Sequence, residues 1–485
     1  MLNLNNPDLL RKQSYINGEW VDADSGNTLD VTNPATGETI ATIASCGADE
    51  TRRAIEAADK AWAGWRDLTV KERAKVLRDW YNLIIDNADD LAKILTAEQG
   101  KPLAEAKTEI VYGANYLEWF SEEAKRAYGD VIAPPSKDKR IVVIKQPVGV
   151  TASITPWNFP SAMIARKVAP ALAAGCTFIS KPASETPLSA LAMAVLAEQA
   201  GVPRGVFNVV VGKSSREIGK EMTGNPLVRK FTFTGSTAVG KQLEAQCAET
   251  MKKTSMELGG NAPFIVFDDA DIDEAVKGAI ICKYRNAGQT CVCANRIFVQ
   301  EGIYDAFAKK FTEAVTALKM GNGAEAGVEV GPMINPGAVA DVKELVKDAV
   351  SKGAKAMNEG GPSDMGECFF TPVVLANADD NMRLFKEEIF GPVAPLFKFS
   401  SEEEVIRMAN DTEFGLASYF YSRDIGRIWR VAEGLEYGMV GINEGIISNE
   451  MAPFGGVKES GSGREGSKYG IDDYLEVKYL CMGGI

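Results

Sequence analysis

The chain has 485 residues, of which 45% are hydrophobic and 25% charged, which predicts a globular protein of more than one domain. Its net charge of −13, with basic residues that form no block, argues against a nucleic-acid partner. It has no apolar stretch of the roughly 18 residues that a membrane helix needs, and it begins with no signal or transit pattern, so we expect a cytoplasmic protein without membrane contact.

The N-terminal quarter of the chain contains helical patterns. Apolar residues at helical spacing predict helices over 49–65, 69–85 and 101–127, and we interpret these stripes as core. The second helix opens with a capping box, Thr69-x-x-Glu72.

Between Val148 and Glu257 short apolar runs alternate with helical segments. The predicted strands are 148–155, 176–180, 206–211, 229–234 and 253–258. The predicted helices are 163–174, 187–200, 214–222 and 236–247. This alternation predicts a doubly wound parallel sheet with a ligand at the carboxyl ends of its strands.

A second α/β region follows. Its predicted strands are 263–267, 294–300, 372–376, 417–421 and 439–443, and its predicted helices are 271–285, 303–318, 337–352, 402–410 and 424–433. Two further β-rich segments, 139–146 and 472–480, could pair with each other or with another subunit. The stretch GSGREG (461–466) has the glycine spacing of a dinucleotide fingerprint, but no βαβ unit can follow it, so we interpret it as a flexible turn.

The sequence contains eight cysteines and no histidine. Most cysteines are isolated and no Cys-x-x-Cys occurs, which is typical of reduced thiols. Without histidine, the common zinc sites and the Ser–His and Cys–His catalytic pairs are excluded. We therefore expect no metal site, and acid–base chemistry must use Glu, Asp, Lys or Tyr.

Three predicted strands end at residues that could bind a ligand or take part in catalysis. Gly235 and Ser236 stand where a strand meets a helix, which suits a phosphate, although such junctions often serve only as caps. Lys181 and Ser184 follow another strand, where a solvated loop is the alternative. Glu257 ends a third strand as a candidate base, and a salt-bridged carboxylate is the alternative.

The stretch NAGQTCVCANR (286–296) contains the candidate nucleophile. Cys291 follows a Gly-Gln-Thr turn, and nearby helix N-termini or cations would lower the pKa of its thiol. The alternative is that Cys291 and Cys293 simply pack on a strand.

Eight motifs in chain order resemble those of the aldehyde dehydrogenase superfamily over essentially the whole sequence. They are TPWNFP (155–160), KPASETP (181–187), FTGST (233–237), MELGGNAP (256–263), GQTC (288–291), EEIFGPV (387–393), NDTEFGLA (410–417) and PFGGVKESGSGRE (453–465). The resemblance implies the three-part α/β fold of that superfamily. The expected parts are a doubly wound cofactor domain (1–125 and 147–257), an α/β catalytic domain (258–455) and a β-rich oligomerisation arm (126–146 and 456–485).

The resemblance also implies roles for individual residues. Cys291 would attack the aldehyde carbon, Asn158 and the Cys291 backbone N–H would hold the oxyanion, and Glu257 would activate water to hydrolyse the thioester. Cofactor contacts would come from Thr155, Pro156, Trp157, Lys181, Ser184, Gly235, Ser236, Glu388 and Phe390. Most NAD-preferring members have Glu where Ser184 stands, so we expect NADP as cofactor, with NAD used less well.

Within the superfamily the resemblance is strongest to bacterial succinate semialdehyde dehydrogenases of 4-aminobutyrate degradation, on YRNAGQTCVCANR and GIISNEMAPFGG. It implies that Arg166, Arg285 and Ser448 bind the substrate carboxylate. Cys293 would be a possible redox partner of Cys291. Glutarate semialdehyde or a broader aldehyde range, and a non-enzymatic use of the fold, are the alternatives. A homodimer or homotetramer is expected, and Glu444 departs from the threonine common in relatives.

Overall fold

A computed structural model describes residues 2–484, and its N-terminal part has two strand pairs and four helices. The strands are β1 (Ser14–Ile16), β2 (Glu19–Val21), β3 (Thr28–Thr32) and β4 (Thr39–Ala44). The helices are α1 (Ala48–Arg66), α2 (Val70–Asp86), α3 (Ala88–Gln99) and α4 (Leu103–Glu123). The predicted capping box opens α2, where the Glu72 carboxylate accepts the Thr69 N–H at 2.7 Å.

Sequence analysis did not predict α3. Its buried residues include polar side chains, Asp90, Glu98 and Gln99, which interrupt the apolar periodicity. The helix starts directly after the single residue Asn87 that ends α2, so no loop pattern separates the two.

The first large sheet confirms the predicted strand–helix alternation. After β5 (Asp130–Ile132) and β6 (Lys139–Pro147) come β7 (Val150–Ile154), α5 (Ala162–Ala174), β8 (Thr177–Lys181), α6 (Leu188–Gln199), β9 (Phe207–Val209), α7 (Ser215–Gly224), β10 (Val228–Thr234), α8 (Thr237–Ala248) and β11 (Lys253–Glu257). The parallel strands lie in the order β9-β8-β7-β10-β11. The chain order reverses between β7 and β10, so the crevice for a ligand lies at the carboxyl ends of these two strands.

The second large sheet is also mostly parallel. Its region contains β12 (Ala262–Val266), α9 (Ile272–Tyr284), β13 (Ala294–Gln300), α10 (Tyr304–Thr316), α11 (Pro336–Ser351), β14 (Lys355–Ala356), β15 (Gly361–Pro362), β16 (Phe370–Thr371), β17 (Val373–Ala378), α12 (Arg383–Lys386), β18 (Val393–Phe399), α13 (Glu402–Asn410), β19 (Ala417–Tyr421), α14 (Ile425–Gly434) and β20 (Met439–Ile442). The order is β14-β17-β18-β13-β12-β19-β20. Sequence analysis did not predict β18, whose Pro395 cannot donate a ladder hydrogen bond.

The C-terminal segment supplies β21 (Gly461–Ser462) and β22 (Leu475–Gly483). β22 pairs antiparallel with β6 along nine residues, so the two isolated β-rich segments pair with each other within one chain. β21 pairs antiparallel with β11, and a Cβ added at Gly461 would lie 1.8 Å from the carbonyl oxygen of Met256. The interpretation of 461–466 as a flexible turn was therefore wrong. None of the helices in residues 2–484 is long and apolar enough to cross a membrane.

A buried carboxylate caps a helix of the first large sheet. Glu98, at the end of α3, accepts hydrogen bonds from the backbone N–H groups of Leu188 and Ser189 at 2.7 and 2.8 Å. These are the first two residues of α6, so Glu98 satisfies donors that the helix itself cannot. Burial raises the pKa of Glu98 to about 8, although both backbone hydrogen bonds lower it.

We predict that Glu98→Ala lowers the free energy of unfolding by about 1–3 kcal/mol, because two buried N–H groups lose their acceptor. Glu98→Gln keeps one oxygen acceptor, so it should lower the free energy of unfolding by less than Glu98→Ala does. The native state of the wild type binds an extra proton between about pH 5 and about pH 8, so its stability relative to Glu98→Gln should fall as pH rises through that range. Urea unfolding at several pH values measures both effects, and a pH-independent difference would contradict the second.

Candidate active site

The segment before β13 has an unusual backbone. Asn286, Ala287 and Gly288 have φ angles of 53°, 55° and 74°, three consecutive residues in the left-handed region. At Gly288 an added Cβ would lie 2.4 Å from the carbonyl oxygen of Gly391, so a side chain is excluded there. Cys291 follows this segment in a turn and is partly exposed. Because β13 begins only at Ala294, the alternative that Cys291 and Cys293 pack on a strand was wrong.

One cavity of about 310 Å³ brings together four residues that the sequence singled out. Cys291, Arg166, Arg285 and Ser448 all line it, although they are far apart in the chain. Apolar side chains including Phe159, Met163 and Phe454 form much of its wall. The lining also includes Lys101, Glu105 and Glu109, so the nucleophile shares a small, largely apolar space with three cations and two carboxylates. Lys101 and Glu109 pair with each other, which leaves the arginines as the cations that could meet a small anionic ligand.

The two arginines of the cavity differ in their partners. Arg166 is 2% exposed, and its Nε donates to Glu465 at 2.6 Å. Lys167 also pairs with Glu465, so one carboxylate faces two buried cations. Arg285 has neither a salt bridge nor a hydrogen bond to any other residue of 2–484, and its guanidinium lies 5.5 Å from the Phe159 ring centroid. Arg285 is therefore the arginine of the cavity whose guanidinium has no carboxylate partner among the described residues.

Sequence analysis missed Glu465. It lies in GSGREG, where spacing alone says nothing about a partner, and its position in the family-like stretch 453–465 was the only signal. Glu465 is buried, and its backbone bridges that of Phe454.

Glu257 ends β11 as expected and is buried, with one carboxylate oxygen that has no hydrogen-bond partner within residues 2–484. Burial raises the pKa of Glu257 well above its usual range, and the neighbouring charge of Glu465 raises it further. The charges of Arg166, Lys167 and Arg464 oppose this rise. A carboxyl with a raised pKa and a free oxygen is, when ionised, a stronger base than an ordinary carboxylate.

The expectation of a lowered thiol pKa was wrong. Burial raises the pKa of Cys291 to about 12, and the charges of Glu388 and Glu257 raise it, whereas Arg166 and Arg285 lower it. Desolvation of the thiolate therefore outweighs the two cations. At neutral pH the sulfur carries its proton, and a base must remove it before attack.

Asn158 follows β7 and is held by a buried ion pair. Its carbonyl oxygen accepts a hydrogen bond from Lys101 Nζ at 2.7 Å, and Lys101 pairs with Glu109 at 2.6 Å. Glu109 also accepts the backbone N–H of Ser161, just before α5. Sequence analysis interpreted 101–127 as a core helix and missed this pair. The side-chain Nδ2 of Asn158 donates to the carbonyl of Gln289 at 3.0 Å, which leaves its second hydrogen free.

The predicted cofactor residues of the first sheet lie along one edge. The strands β8, β7, β10 and β11 are parallel, so their carboxyl ends lie along the same edge of the sheet. At these ends stand, in the same order, Lys181, Thr155, Gly235 and Glu257. The buried hydroxyls of Thr155 and Thr234 have no hydrogen-bond partner in the described part of the chain. A Cβ added at Gly235 would lie 2.4 Å from the Phe233 ring, and the Gly235 N–H donates to the Glu257 carbonyl at 3.1 Å.

Two further features of this edge suit a nucleotide. The hydroxyl of Ser236, at the N-cap of α8, is exposed and makes no capping hydrogen bond. Lys181 is buried, and burial lowers its pKa to about 8, against the opposing charge of Glu185. Ser184 is partly exposed and donates to the Gly212 carbonyl at 3.2 Å. These residues fit the phosphate and ribose groups of a dinucleotide.

Glu388 and Phe390 approach that edge from the second region. A carboxylate oxygen of Glu388 accepts the Gly260 N–H at 3.1 Å, and burial raises its pKa to about 7. The rings of Phe390 and Trp157 meet edge to face with centroids 5.6 Å apart. Pro156, beside Trp157, is partly exposed in the same loop.

The remaining candidates are Cys293 and Glu444. Cys293 is buried, and its Sγ donates to the carbonyl of Lys283 at 3.4 Å, so a disulfide with Cys291 stays a prediction. Glu444 is exposed, and its carboxylate accepts the N–H groups of Gly445 and Ile446 at the start of the loop that carries Ser448. Within residues 2–484 no cluster of three or more cysteine and carboxylate side chains could hold a metal ion.

Comparisons with known proteins agree with this geometry. The model of the aldehyde dehydrogenase family matches residues 20–480. A glutarate-semialdehyde dehydrogenase of Pseudomonas aeruginosa is 65% identical over 100% of both chains. The NADP(+) succinate-semialdehyde dehydrogenase of Escherichia coli is 61% identical over 99% of this chain and 100% of its own. The crystal structure of a succinate-semialdehyde dehydrogenase from Burkholderia pseudomallei, 63% identical, superposes with a TM-score of 0.98 and covers 99% of this chain and 100% of its own.

We predict that iodoacetamide alkylates Cys291 slowly at neutral pH and about tenfold faster with each added pH unit, because the thiolate reacts and its pKa is raised. Mass spectrometry of the Cys291 peptide between about pH 6 and about pH 10 measures the rate. Arg285→Ala should slow the reaction at every pH, because that cation favours the thiolate. A rate that is already independent of pH at neutrality would contradict the protonated thiol.

Proposed function

The chain belongs to the aldehyde dehydrogenase family, and we propose that it oxidises a small dicarboxylic semialdehyde, succinate semialdehyde first, with NADP. The observation that carries the substrate class is the unpaired guanidinium of Arg285, which lies in the same cavity as Cys291. An arginine fork recognises a carboxylate, and the aldehyde at the other end of the molecule would then reach the sulfur. Relatives at 61 to 65% identity are named enzymes, so the non-enzymatic alternative is set aside.

Glutarate semialdehyde is the second candidate substrate. It is one methylene longer, and the Pseudomonas aeruginosa relative at 65% identity is named for it. A methylene is worth only about 1–3 kcal/mol of discrimination, and the cavity of about 310 Å³ is largely apolar. A comparison of kcat/KM for the two semialdehydes decides between them.

The two arginines have unequal roles in this proposal. Arg285 supplies the free fork for the carboxylate, and the hydroxyl of Ser448 adds a donor from the opposite loop. Arg166 shares its charge with Glu465, so its contribution to substrate binding is smaller than the sequence suggested.

The proposed chemistry uses three side chains. The Cys291 sulfur attacks the aldehyde carbon and gives a thiohemiacetal, while the free Nδ2 hydrogen of Asn158 and the Cys291 backbone N–H stabilise the oxyanion. Glu257, in its ionised form, takes the thiol proton and releases it to solvent before the hydrolysis step. After oxidation to the thioester, Glu257 takes a proton from water, and the hydroxide that attacks the thioester releases the acid and restores the thiol.

NADP, when bound, supplies the acceptor for the hydride of the thiohemiacetal. Lys181 and Ser184 would hold its adenosine ribose and 2′-phosphate, and Ser236, beside Gly235, would hold the pyrophosphate. Glu388 and Phe390 would surround the nicotinamide ribose, beside the loop of Thr155, Pro156 and Trp157. The unpartnered threonine hydroxyls at this edge support the assignment.

We also propose an oligomer formed through the β5-β6-β22 sheet, which exposes apolar side chains. Val477 and Tyr479, which point to the same face of β22, are 70% and 61% exposed, and an apolar face of this kind is suited to a second copy of the chain. Residues 1–125 and 147–257 would form the cofactor domain and 258–455 the catalytic domain. Because β21 pairs with β11, part of 456–485 joins the cofactor domain. A cytoplasmic location and a role in 4-aminobutyrate degradation stay predictions.

Arg285→Ala should raise KM for succinate semialdehyde about 10²-fold, because the substrate carboxylate loses its charge-assisted hydrogen bonds. KM for butanal, which has no carboxylate, should change less than about threefold. Steady-state kinetics measured by NADPH formation test both values. Arg285→Lys is the matched control: it keeps the charge without the fork and should fall between the two. An equal rise in KM for both aldehydes would contradict the assignment of Arg285 to the substrate carboxylate.

The wild type should show a higher kcat/KM with NADP than with NAD, because Ser184 leaves room for a 2′-phosphate beside Lys181. Ser184→Glu should lower kcat/KM with NADP at least about tenfold, through charge repulsion, and should affect NAD much less. Ser184→Ala removes the hydroxyl without adding charge and should cost little. A wild type that prefers NAD would overturn this cofactor assignment.

A further inference from the structure

Asn286 is the point where the loop of Cys291 meets the loop of Asn158. It is 1% exposed and has left-handed backbone angles, φ 53° and ψ 35°. Asn tolerates this conformation better than most residues, but Ala287, which follows, does not. Contacts from the surrounding structure must therefore hold the segment in place.

Every polar group of Asn286 has a partner. Its Oδ1 accepts from Gln99 Nε2 at 2.9 Å, and its Nδ2 donates to the carbonyl oxygens of Asn158 and Gln289 at 3.1 and 3.2 Å. Its backbone N–H donates to Glu105 at 2.9 Å. A buried network that is fully satisfied in this way is rigid, because no group can move without losing a hydrogen bond.

These hydrogen bonds join the two loops that the proposed chemistry uses. The Asn158 carbonyl accepts from Asn286 Nδ2, and the Asn158 side chain donates to the carbonyl of Gln289, two residues before Cys291. Lys101 also donates to the Asn158 carbonyl, but its other partner is Glu109 of α4. Of these donors, only Asn286 belongs to the segment that carries the nucleophile.

We propose that Asn286 is a positioning residue that sets the distance between the Asn158 amide and the Cys291 sulfur. The inference rests on the proposed roles of Asn158 as oxyanion donor and Cys291 as nucleophile. Asn286 lines no part of the cavity and acts only through these two loops. Its loss therefore displaces the oxyanion donor without removing it, and it lowers kcat rather than substrate affinity.

Two substitutions test the proposal in the full-length enzyme. Asn286→Asp is isosteric but points an oxygen at two carbonyls, and Asn286→Gly keeps the left-handed backbone and removes the amide. Both should lower kcat for the semialdehyde about 10²-fold and change KM less than about threefold. Alkylation of Cys291 by iodoacetamide, which forms no oxyanion, should keep its rate within about threefold.

A double-mutant cycle separates positioning from a merely structural role. In an Asn158→Ala background, Asn286→Gly should lower kcat by less than about threefold, because the group on which it acts is already gone. Asn208→Asp is the matched control: Asn208 is buried on β9, and its Nδ2 donates to the Gly205 carbonyl at 2.8 Å. Like Asn286→Asp, this substitution turns an oxygen toward a backbone carbonyl, but it does so on β9, away from the cavity. It should therefore leave kcat unchanged.

Three outcomes would overturn the inference. These are a kcat for Asn286→Gly within about threefold of the wild type, losses that multiply in the double variant, and an equal fall in kcat for Asn208→Asp. A wild type that oxidises neither semialdehyde would instead defeat the proposed substrate class. The cycle would then be run with whichever aldehyde is oxidised, so the two failures stay distinct.

Discussion

The candidate site depends on the ion pairs that the Glu465 carboxylate makes. Buried between Arg166 and Lys167, it balances two cations of α5 that would otherwise lie uncompensated in the interior. The same contact anchors the C-terminal segment, whose strand β21 extends the first large sheet beside Glu257. One ion-pair cluster therefore holds the wall of the cavity, the sheet edge and the candidate base in a single arrangement.

Burial sets the proton chemistry of a chain that has no histidine. Desolvation raises the pKa of both Cys291 and Glu257, so burial disfavours the thiolate and the carboxylate alike. The cations around them moderate this effect but do not reverse it. The candidate base of the site is therefore a carboxyl group whose pKa is set by its surroundings, in place of an imidazole.

Each large sheet supplies different residues of the candidate site, and the loops between the sheets bring these residues together. Parallel strands of the first sheet place Lys181, Gly235 and Glu257 along one edge, because parallel strands all end on the same side. The second sheet carries Cys291 before β13 and Glu388 before β18. Contacts such as Trp157 against Phe390 bring these two sets of residues together. The reaction site is therefore a property of the interface between the two sheets rather than of either one.

The sequence by itself determined the fold class, most strands and helices, and the identity of the candidate nucleophile, base and arginines. Apolar periodicity and strand–helix alternation are local signals, and motif order is readable without coordinates. Only the tertiary structure decided which arginine is free, because the partner of Arg166 lies 299 residues away at Glu465. It also decided the raised pKa of Cys291 and the helix α3, because burial and partners depend on packing between distant segments, which no local pattern records.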